Sequence, residues 1–196
     1  MIEKTAIIEN GAQIGIGVSI GYNTVIFSGV NIKDNVTIGS NCLIGTKPES
    51  KYTDEQKGLI IDTNTVITDF VTINLGTERD TQIGQDCYIM NNAYIAHDVI
   101  LESSVTVTSS ANILGNAYIC EEAYIGVNSS IHQNSKIGKI SLLGANSFAK
   151  GELGAGLIYV GSPAIPIKIN KVGIANSKLN QSKIKSILKE SAKFLE

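Results

Sequence analysis

The sequence predicts an all-β protein folded as a parallel β-helix, and two columns of residues carry this prediction. Isoleucine recurs at every sixth position from Ile2 to Ile44, and the same period returns, filled mostly by isoleucine, from Ile61 to Ile73 and from Ile83 to Leu143. Four places after most of these residues lies a second column of small or β-branched side chains. A period of six is the signature of hexapeptide β-helix repeats.

Each six-residue unit is predicted to form one short strand and one corner, and three units close one triangular coil. Stacked coils then share a buried ladder, in which each apolar side chain contributes about 1.5–3 kcal/mol and neighbouring strands lie about 4.8 Å apart. Glycine follows the apolar residue where a side chain at the corner would clash, as at Gly15, Gly21, Gly39, Gly84 and Gly126. We expect the β-helix to span residues 1–165.

The period breaks twice, which predicts loops at residues 46–60 and 74–82. The first insertion adds eleven residues and is polar, and the second adds four. Stepping one coil at a time without the inserted residues places five apolar residues on one side of the prism: Ile44, Ile73, Ile95, Ile113 and Ile131. Both loops are therefore predicted to leave from the corner that follows these residues.

The only two histidines of the chain are predicted to lie at that same corner. His97 and His132 are two coils apart, about 10 Å by strand spacing, with Gly115 on the coil between them. Histidine can take a proton from a hydroxyl or amine, and the adjacent Asp98 would orient its ring. Gly115 can present an unobstructed backbone N–H group to a developing oxyanion. This corner is the predicted active site.

Composition excludes several classes of function. The net charge is only -2 and aromatic residues are few, so a nucleic-acid partner has no support. The start of the chain lacks a signal-peptide pattern and no apolar stretch reaches membrane-spanning length, which predicts a cytoplasmic protein without membrane insertion. Cys42, Cys87 and Cys120 are expected to pack as free thiols. Two histidines are too few for a typical histidine-built zinc site, so we expect neither metal nor cofactor.

Residues 166–196 are predicted to form an extension with an amphipathic helix from Ser177 to Glu196. Ser177 would cap the helix, while four apolar residues recur at helical spacing: Ile184, Ile187, Leu188 and Leu195. The opposite face carries lysines. Such a helix would cover the unpaired strand edges of the last coil. Alternatively, its lysines would bind an acidic partner protein.

Four motifs resemble those of the hexapeptide-repeat acyltransferases, and most closely the branch that acylates UDP-N-acetylglucosamine in lipid A synthesis. They are Ser50-Lys51-Tyr52, the segment from Asn91 to Asp98, Ile131-His132-Gln133, and the segment from Tyr159 to Ala164. The resemblance extends from Ile2 to about Ile174. It implies a left-handed helix and a homotrimer whose active sites lie between neighbouring subunits.

The resemblance also implies roles for individual residues. His97 matches the general base, Asp98 the orienting carboxylate and Gly115 the oxyanion donor. The matching substrate and donor contacts are His132 and Gln133 for the sugar nucleotide and donor, and Lys51 and Tyr52 for the nucleotide. Ser162 stands where the family often has an asparagine that contacts donor or substrate. Asn74, at the same corner as His97, is a further candidate binding residue.

The chain departs from the family pattern at several of these contacts. Tyr94 and Asn116 each replace a histidine, and the segment after Pro166 lacks the arginine pair found there in the lipid A enzyme. Ala145 replaces a glycine that leaves room for a long acyl tail, which predicts a shorter donor chain. The departures fall on substrate and donor contacts rather than on the residues for proton transfer.

We therefore expect an acyltransferase that moves an acyl group from a thioester, carried by acyl carrier protein or coenzyme A, to a UDP-N-acetylglucosamine-like sugar nucleotide. The acceptor is a hydroxyl or an amine, and transfer is direct, without a covalent enzyme intermediate. One alternative is an acetyl-CoA-dependent amino-sugar N-acetyltransferase of surface-polysaccharide synthesis. Another is a non-catalytic trimeric scaffold that binds sugar nucleotides.

Overall fold

A computed structural model describes residues 1–49 and 54–192, which form a left-handed parallel β-helix followed by two short helices. The predicted fold class is confirmed. Three sheets form the sides of a triangular prism, and every third strand along the chain joins the same sheet, except that the last strand joins the sheet of the strand before it. The first corner follows the first sheet, and the second and third corners follow the second and third sheets.

The strands of the three sheets are short because each occupies one side of a coil. The first sheet contains β1 (Ile7–Ile8), β4 (Val25–Ile26), β7 (Leu43–Thr46), β10 (Thr72–Asn74), β13 (Tyr94–Ile95), β16 (Asn112–Ile113), β19 (Ser130–Ile131) and β22 (Phe148–Ala149). The second contains β2 (Gln13–Ile14), β5 (Val30–Ile32), β8 (Leu59–Ile61), β11 (Thr81–Ile83), β14 (Ile100–Leu101), β17 (Tyr118–Ile119), β20 (Lys136–Ile137) and β23 (Glu152–Leu153). The third contains β3 (Ser19–Ile20), β6 (Thr37–Ile38), β9 (Val66–Ile67), β12 (Tyr88–Ile89), β15 (Thr106–Val107), β18 (Tyr124–Ile125), β21 (Leu142–Leu143), β24 (Leu157–Val160) and β25 (Ile165–Ile169).

The register confirms the predicted stacking of the isoleucine ladder across both insertions. Ile44 pairs with Ile73, and Ile73 pairs with Ile95. The ladder continues through Ile113 to Ile131. All five side chains are fully buried. Since most strands contribute only one or two buried apolar side chains, the core exists only when coils are stacked.

Each corner imposes two separate backbone requirements. The third residue after the apolar position takes a left-handed conformation, with φ of 60° at Asn92 and 61° at Asn116, and asparagine tolerates this region better than most residues. The first residue after the apolar position lies close to the next coil. A Cβ atom on Gly21 would lie 2.6 Å from the carbonyl carbon of Gly39, which explains the glycines that the sequence places there.

The two insertions both leave from the first corner and contact each other. The first occupies residues 47–58 between β7 and β8, and the second occupies residues 75–80 between β10 and β11. The Lys57 N–H group donates to the Gly76 carbonyl at 2.9 Å, and the Gly76 N–H group donates to the Gly58 carbonyl at 3.1 Å. The last residues of the first loop therefore lie beside the second loop.

The carboxy-terminal segment differs in detail from the prediction. Strand β25 pairs antiparallel with β24, so the third sheet continues past the expected boundary at residue 165. Two helices follow, α1 (Lys171–Asn176) and α2 (Gln181–Ser191). The prediction that Ser177 caps the tail helix is wrong, because Ser177 lies at the end of α1. Asn180 begins α2 instead, and its side-chain oxygen accepts from the Lys183 N–H group at 3.0 Å.

Helix α2 packs against the end of the β-helix. Ile184 and Ile187 are buried, and the Ser191 hydroxyl donates to the Ala155 carbonyl at 2.8 Å. Leu195 lies outside the described residues. Within those residues, neither helix is long and apolar enough to cross a membrane. The three cysteines are buried free thiols.

Candidate active site

The first corner brings together most of the residues that the sequence predicted for catalysis. Strands β13, β16 and β19 are adjacent in the first sheet, so the residues after them stack on consecutive coils. His97 and Gly115 both lie two residues beyond the buried isoleucine of their coil, and His132 follows one coil later. The Asn116 N–H group donates to the His97 carbonyl at 2.9 Å, which ties the first two coils together at this corner.

The His97 ring and the Asp98 carboxylate form a close pair. His97 Nδ1 lies 2.7 Å from Asp98 Oδ2. The His97 side chain is 26% exposed and the Asp98 side chain only 4% exposed. An ionised carboxylate can only accept hydrogen bonds, so the pairing assigns the donated proton to Nδ1 and leaves Nε2 as the free ring nitrogen.

The second insertion loop holds the Asp98 carboxylate. Oδ1 accepts from three consecutive backbone N–H groups, those of Thr77 at 2.9 Å, Glu78 at 3.0 Å and Arg79 at 3.1 Å. Oδ2 accepts from the Thr77 hydroxyl at 2.6 Å in addition to His97. Burial raises the pKa of the Asp98 carboxyl, but the hydrogen bonds from Thr77, His97 and the loop amides outweigh it and hold the pKa well below its usual range.

Gly115 makes room for the His97 ring. A Cβ atom on Gly115 would lie 2.8 Å from Cε1 and 2.9 Å from Nε2 of His97, closer than side chains pack. The ring therefore depends on glycine at this position. Among the described residues, no acceptor is bonded to the Gly115 N–H group. The glycine thus has two properties that matter here, an unblocked N–H group and space for the ring.

The predicted binding residues His132 and Gln133 lie two coils from His97. His132 Nδ1 is 3.0 Å from the Gln133 carbonyl oxygen, and its ring meets the Phe148 ring edge-on with centroids 5.9 Å apart. Gln133 is exposed. Unlike His97, His132 has no carboxylate partner among the described residues.

Asn74 and Tyr94 are joined to each other in a polar network beside the corner. The Tyr94 hydroxyl donates to Asn74 Oδ1 at 2.7 Å, and Asn74 Nδ2 donates to the Thr46 hydroxyl at 2.6 Å. The Tyr94 hydroxyl also lies 3.4 Å from Glu49 Oε2. Burial and the Glu49 charge raise the pKa of Tyr94 to about 12. Asn74 is buried with both ends of its amide bonded inside the protein, so it braces Tyr94.

The remaining predicted residues are divided between two corners. Asn116 is on the first corner, where its amide donates to Asn134 on the next coil. Ala145 and Ser162 lie at the third corner, where the turn after β24 meets Phe148: the Phe148 N–H group donates to the Gly161 carbonyl at 2.9 Å. Within one chain, neither adjoins His97. Lys51 and Tyr52 lie outside the described residues.

Thr77 and Arg79 are the site residues that sequence reasoning missed. The repeat rule treats the second insertion only as an interruption, and nothing in its composition points to Asp98. The available signal was positional, because this loop leaves the first corner one coil before His97. In the described part of the chain, no group of three or more His, Cys, Asp or Glu side chains is placed to hold a metal ion.

The fold and this corner define the class of the protein: a hexapeptide-repeat, left-handed parallel β-helix with a histidine–aspartate pair on one corner. No family model matches the chain. Solved structures share its architecture along nearly the whole length. The UDP-N-acetylglucosamine acyltransferase of Campylobacter jejuni is 25% identical with a TM-score of 0.86, over 96% of this chain and 82% of that one. LpxA of Acinetobacter baumannii is 25% identical with a TM-score of 0.85, over 96% and 81%.

Curated relatives point to the same enzymes over a shorter region. The acyl-[acyl-carrier-protein]–UDP-N-acetylglucosamine O-acyltransferase of Campylobacter lari is 37% identical over 101 residues, which are 46% of this chain and 38% of the relative. The enzyme of the same name from Chlamydia pneumoniae is 36% identical over 110 residues, 45% of this chain and 39% of the relative. The matches thus span about two-fifths of these relatives. They confirm that the chain resembles UDP-N-acetylglucosamine O-acyltransferases of the hexapeptide-repeat type.

Proposed function

We propose that this protein is an acyltransferase that moves an acyl group from a thioester on acyl carrier protein to a hydroxyl of UDP-N-acetylglucosamine. The observation that carries the proposal is the His97–Asp98 pair, buried on its aspartate side and open on its histidine side, beside the unbonded N–H group of Gly115. The likeness to enzymes named for this reaction supports the choice of donor and acceptor.

The proposed mechanism uses His97 as a proton shuttle. Nε2 takes the proton from the sugar hydroxyl as its oxygen attacks the thioester carbonyl carbon. The negative charge that develops on the carbonyl oxygen is stabilised by the Gly115 N–H group. When the intermediate collapses, the carbon–sulfur bond breaks. His97 passes the proton that it took from the sugar hydroxyl to the sulfur, which leaves as a thiol. Asp98 stabilises the charged imidazole between the two transfers.

We further propose that the working unit is a homotrimer, as the family resemblance implies. His97 lies on the first corner, while Ala145 and Ser162 lie on the third corner of the same chain. Residues from both corners would meet only where one subunit presents its first corner to the third corner of a neighbour. A donor chain running along Ala145 would then reach His97 of the adjacent subunit.

The decisive experiment is to look for the acylated product by mass spectrometry. Purified protein is incubated with UDP-N-acetylglucosamine and its amino-sugar analogue, each with acyl carrier protein and coenzyme A thioesters. We expect ester product from the carrier-protein donor. His97→Ala should lower turnover by about a thousandfold with unchanged circular dichroism. His132→Gln is the matched control, because it should raise KM more than it lowers kcat.

Three results of this assay would contradict the proposal. Near-normal turnover by His97→Ala would exclude His97 as the base. Product formed only from acetyl-CoA and the amino sugar would replace the O-acyltransferase by an N-acetyltransferase. Tight binding of the sugar nucleotide with no product from any donor would leave a non-catalytic binding protein.

We also propose that α2 binds the carrier protein through its exposed lysines. Lys183, Lys185 and Lys189 are exposed on α2, whereas Ile184 and Ile187 face the β-helix. Carrier proteins are acidic, so exchanging these three lysines for glutamine should raise the KM for acyl carrier protein several-fold at low salt and less at high salt. Acyl-CoA is the control donor, since it lacks the protein surface. An unchanged KM for both donors would leave α2 only as a cover for the last coil.

A further inference from the structure

Arg79 is the only arginine in the chain; the other 15 basic residues are lysines. It lies in the second insertion loop, between β10 and β11, and its side chain is exposed. Arginine differs from lysine in presenting a planar fork of N–H donors that matches the oxygens of a phosphate. The single arginine of the chain therefore lies in the loop that leaves the first corner one coil before His97.

Arg79 is attached to Asp98 at two points. Its backbone N–H group donates to Asp98 Oδ1 at 3.1 Å, and its side-chain Nε donates to the Asp98 carbonyl oxygen at 3.2 Å. Asp98 is itself almost fully buried and is held by the Thr77 hydroxyl. Both the backbone and the guanidinium of Arg79 are thus fixed relative to the residue that orients His97.

The rest of the guanidinium has no anionic partner among the described residues. The ion pairs formed there involve His97 and four lysines, and none involves Arg79. The neighbouring Asp80 forms no ion pair with it either, and Asp80 Oδ1 instead accepts from the Gly58 N–H group at 2.7 Å. The two terminal nitrogens of Arg79 keep their four N–H donors free within the described structure.

We propose that Arg79 binds a phosphate group of a ligand that occupies the His97 corner. This inference rests on the proposed function, in which both the sugar nucleotide and the thioester donor carry phosphates. A guanidinium that is already fixed by Nε loses little rotational freedom on binding, and its two remaining nitrogens can donate to two phosphate oxygens. Arg79 would thereby position the ligand relative to His97 without contacting the reacting atoms.

Calorimetric titration tests the proposal without requiring turnover. The ligands are UDP-N-acetylglucosamine, coenzyme A and inorganic pyrophosphate, each titrated into the full chain. Arg79→Gln should weaken binding of at least one of them by about tenfold or more, the size expected for losing a charge-assisted hydrogen bond. Weaker binding of the sugar nucleotide would assign the diphosphate as the ligand group, and weaker binding of coenzyme A would assign the donor. Arg79→Lys should be intermediate, since it keeps the charge but not the fork.

Lys33→Gln is the control, because it removes one exposed positive charge at the second corner. It should leave all three affinities unchanged. Equal affinities in wild type and Arg79→Gln would overturn the proposal, and a lowered melting temperature with equal affinities would show that Arg79 only closes its loop. If wild type bound none of the three ligands, both this inference and the proposed function would fail. If it bound them with no effect of Arg79→Gln, only this inference would fail.

Discussion

The first and third corners are built from the same six-residue unit and both carry asparagines at the left-handed position, but the first corner also carries Asp98 there. At the third corner, Asn128 and Asn146 bond to each other through their amides at 2.7 Å on the exposed surface. At the first corner, Asp98 has the same left-handed backbone, with φ of 61°, but its side chain is buried. The insertion loop makes this difference.

A buried carboxylate is stable only when its oxygens are well bonded, because transfer of a charge out of water is costly. The third corner has no insertion, so a residue there remains in contact with solvent and needs only to suit the backbone. At the first corner, residues 77–79 cover Asp98 and supply the hydrogen bonds. The repeat therefore shapes both corners, and the insertion converts one of them into a charged, protected site.

Among the variants that test the difference between the two corners, Gly115→Ala should lower kcat the most. The added methyl group would overlap the His97 ring and push Nε2 out of place. We expect kcat to fall by about a hundredfold, since a displacement of about 1 Å in a catalytic group has effects of that size. Steady-state kinetics measures the loss, and circular dichroism checks that the coils remain folded.

The double variant His97→Ala/Gly115→Ala is the control for this prediction. If the methyl group acts by displacing the ring, the double variant should be no slower than His97→Ala alone. Additive losses would instead indicate that Gly115 contributes independently of the ring. Wild-type turnover by Gly115→Ala would contradict the close packing of His97 against this glycine.

An intermediate effect is expected from Thr77→Val, which removes the hydroxyl that bonds to Asp98 Oδ2 while keeping the shape of the side chain. We expect kcat to fall by about tenfold as Asp98 loses its fixed orientation. Stability at pH 7 should fall by about 2 kcal/mol, because the lost hydrogen bond ends on a charged group. Thr77→Ser keeps the hydroxyl, so it should retain most of the wild-type kcat and most of the wild-type stability.

The pH dependence of this variant distinguishes an effect on Asp98 from general loosening. The fold lowers the pKa of Asp98, so the stabilisation is fully present above the ordinary aspartate pKa of about 3.9 and is lost as the pH falls through the lowered value. The difference in melting temperature between wild type and Thr77→Val should therefore shrink from pH 5 towards pH 2. Thr65→Val is the matched control, since Thr65 is a buried threonine bonded at the second corner. A pH-independent difference for Thr77→Val would contradict its link to the Asp98 charge.

The smallest effect is expected at the third corner, from Ala145→Gly. The side chain is exposed within one chain, so stability should change by less than about 1 kcal/mol. If Ala145 limits the acyl pocket between subunits, wild type should prefer donors shorter than fourteen-carbon chains, and glycine should shift the preference towards longer ones by about tenfold. Rates across a series of acyl donors measure this. A wild-type preference for donors of fourteen carbons or more would contradict the prediction that Ala145 shortens the acyl pocket.

The sequence predicted the β-helix and its register well because stacking repeats the same local chemistry. The period of six fixes which side chains point inward, and the counts around both insertions place Ile44, Ile73 and Ile95 in one ladder. The tail was predicted less accurately. Ser177 and Asn180 are both good capping residues, and the choice between them depends on how α1 ends against the last coil.

By itself, the sequence determined the fold, the corner that carries the insertions, and the adjacency of His97 and Asp98. These follow from periodic burial and from neighbouring positions in the chain. Only the tertiary structure decided how Asp98 is held, why Gly115 must lack a side chain, and that Thr77 and Arg79 belong to the site. Those contacts join residues about twenty positions apart across coils, through a loop that has no repeat. Their geometry depends on packing and hydrogen bonding, which periodicity does not encode.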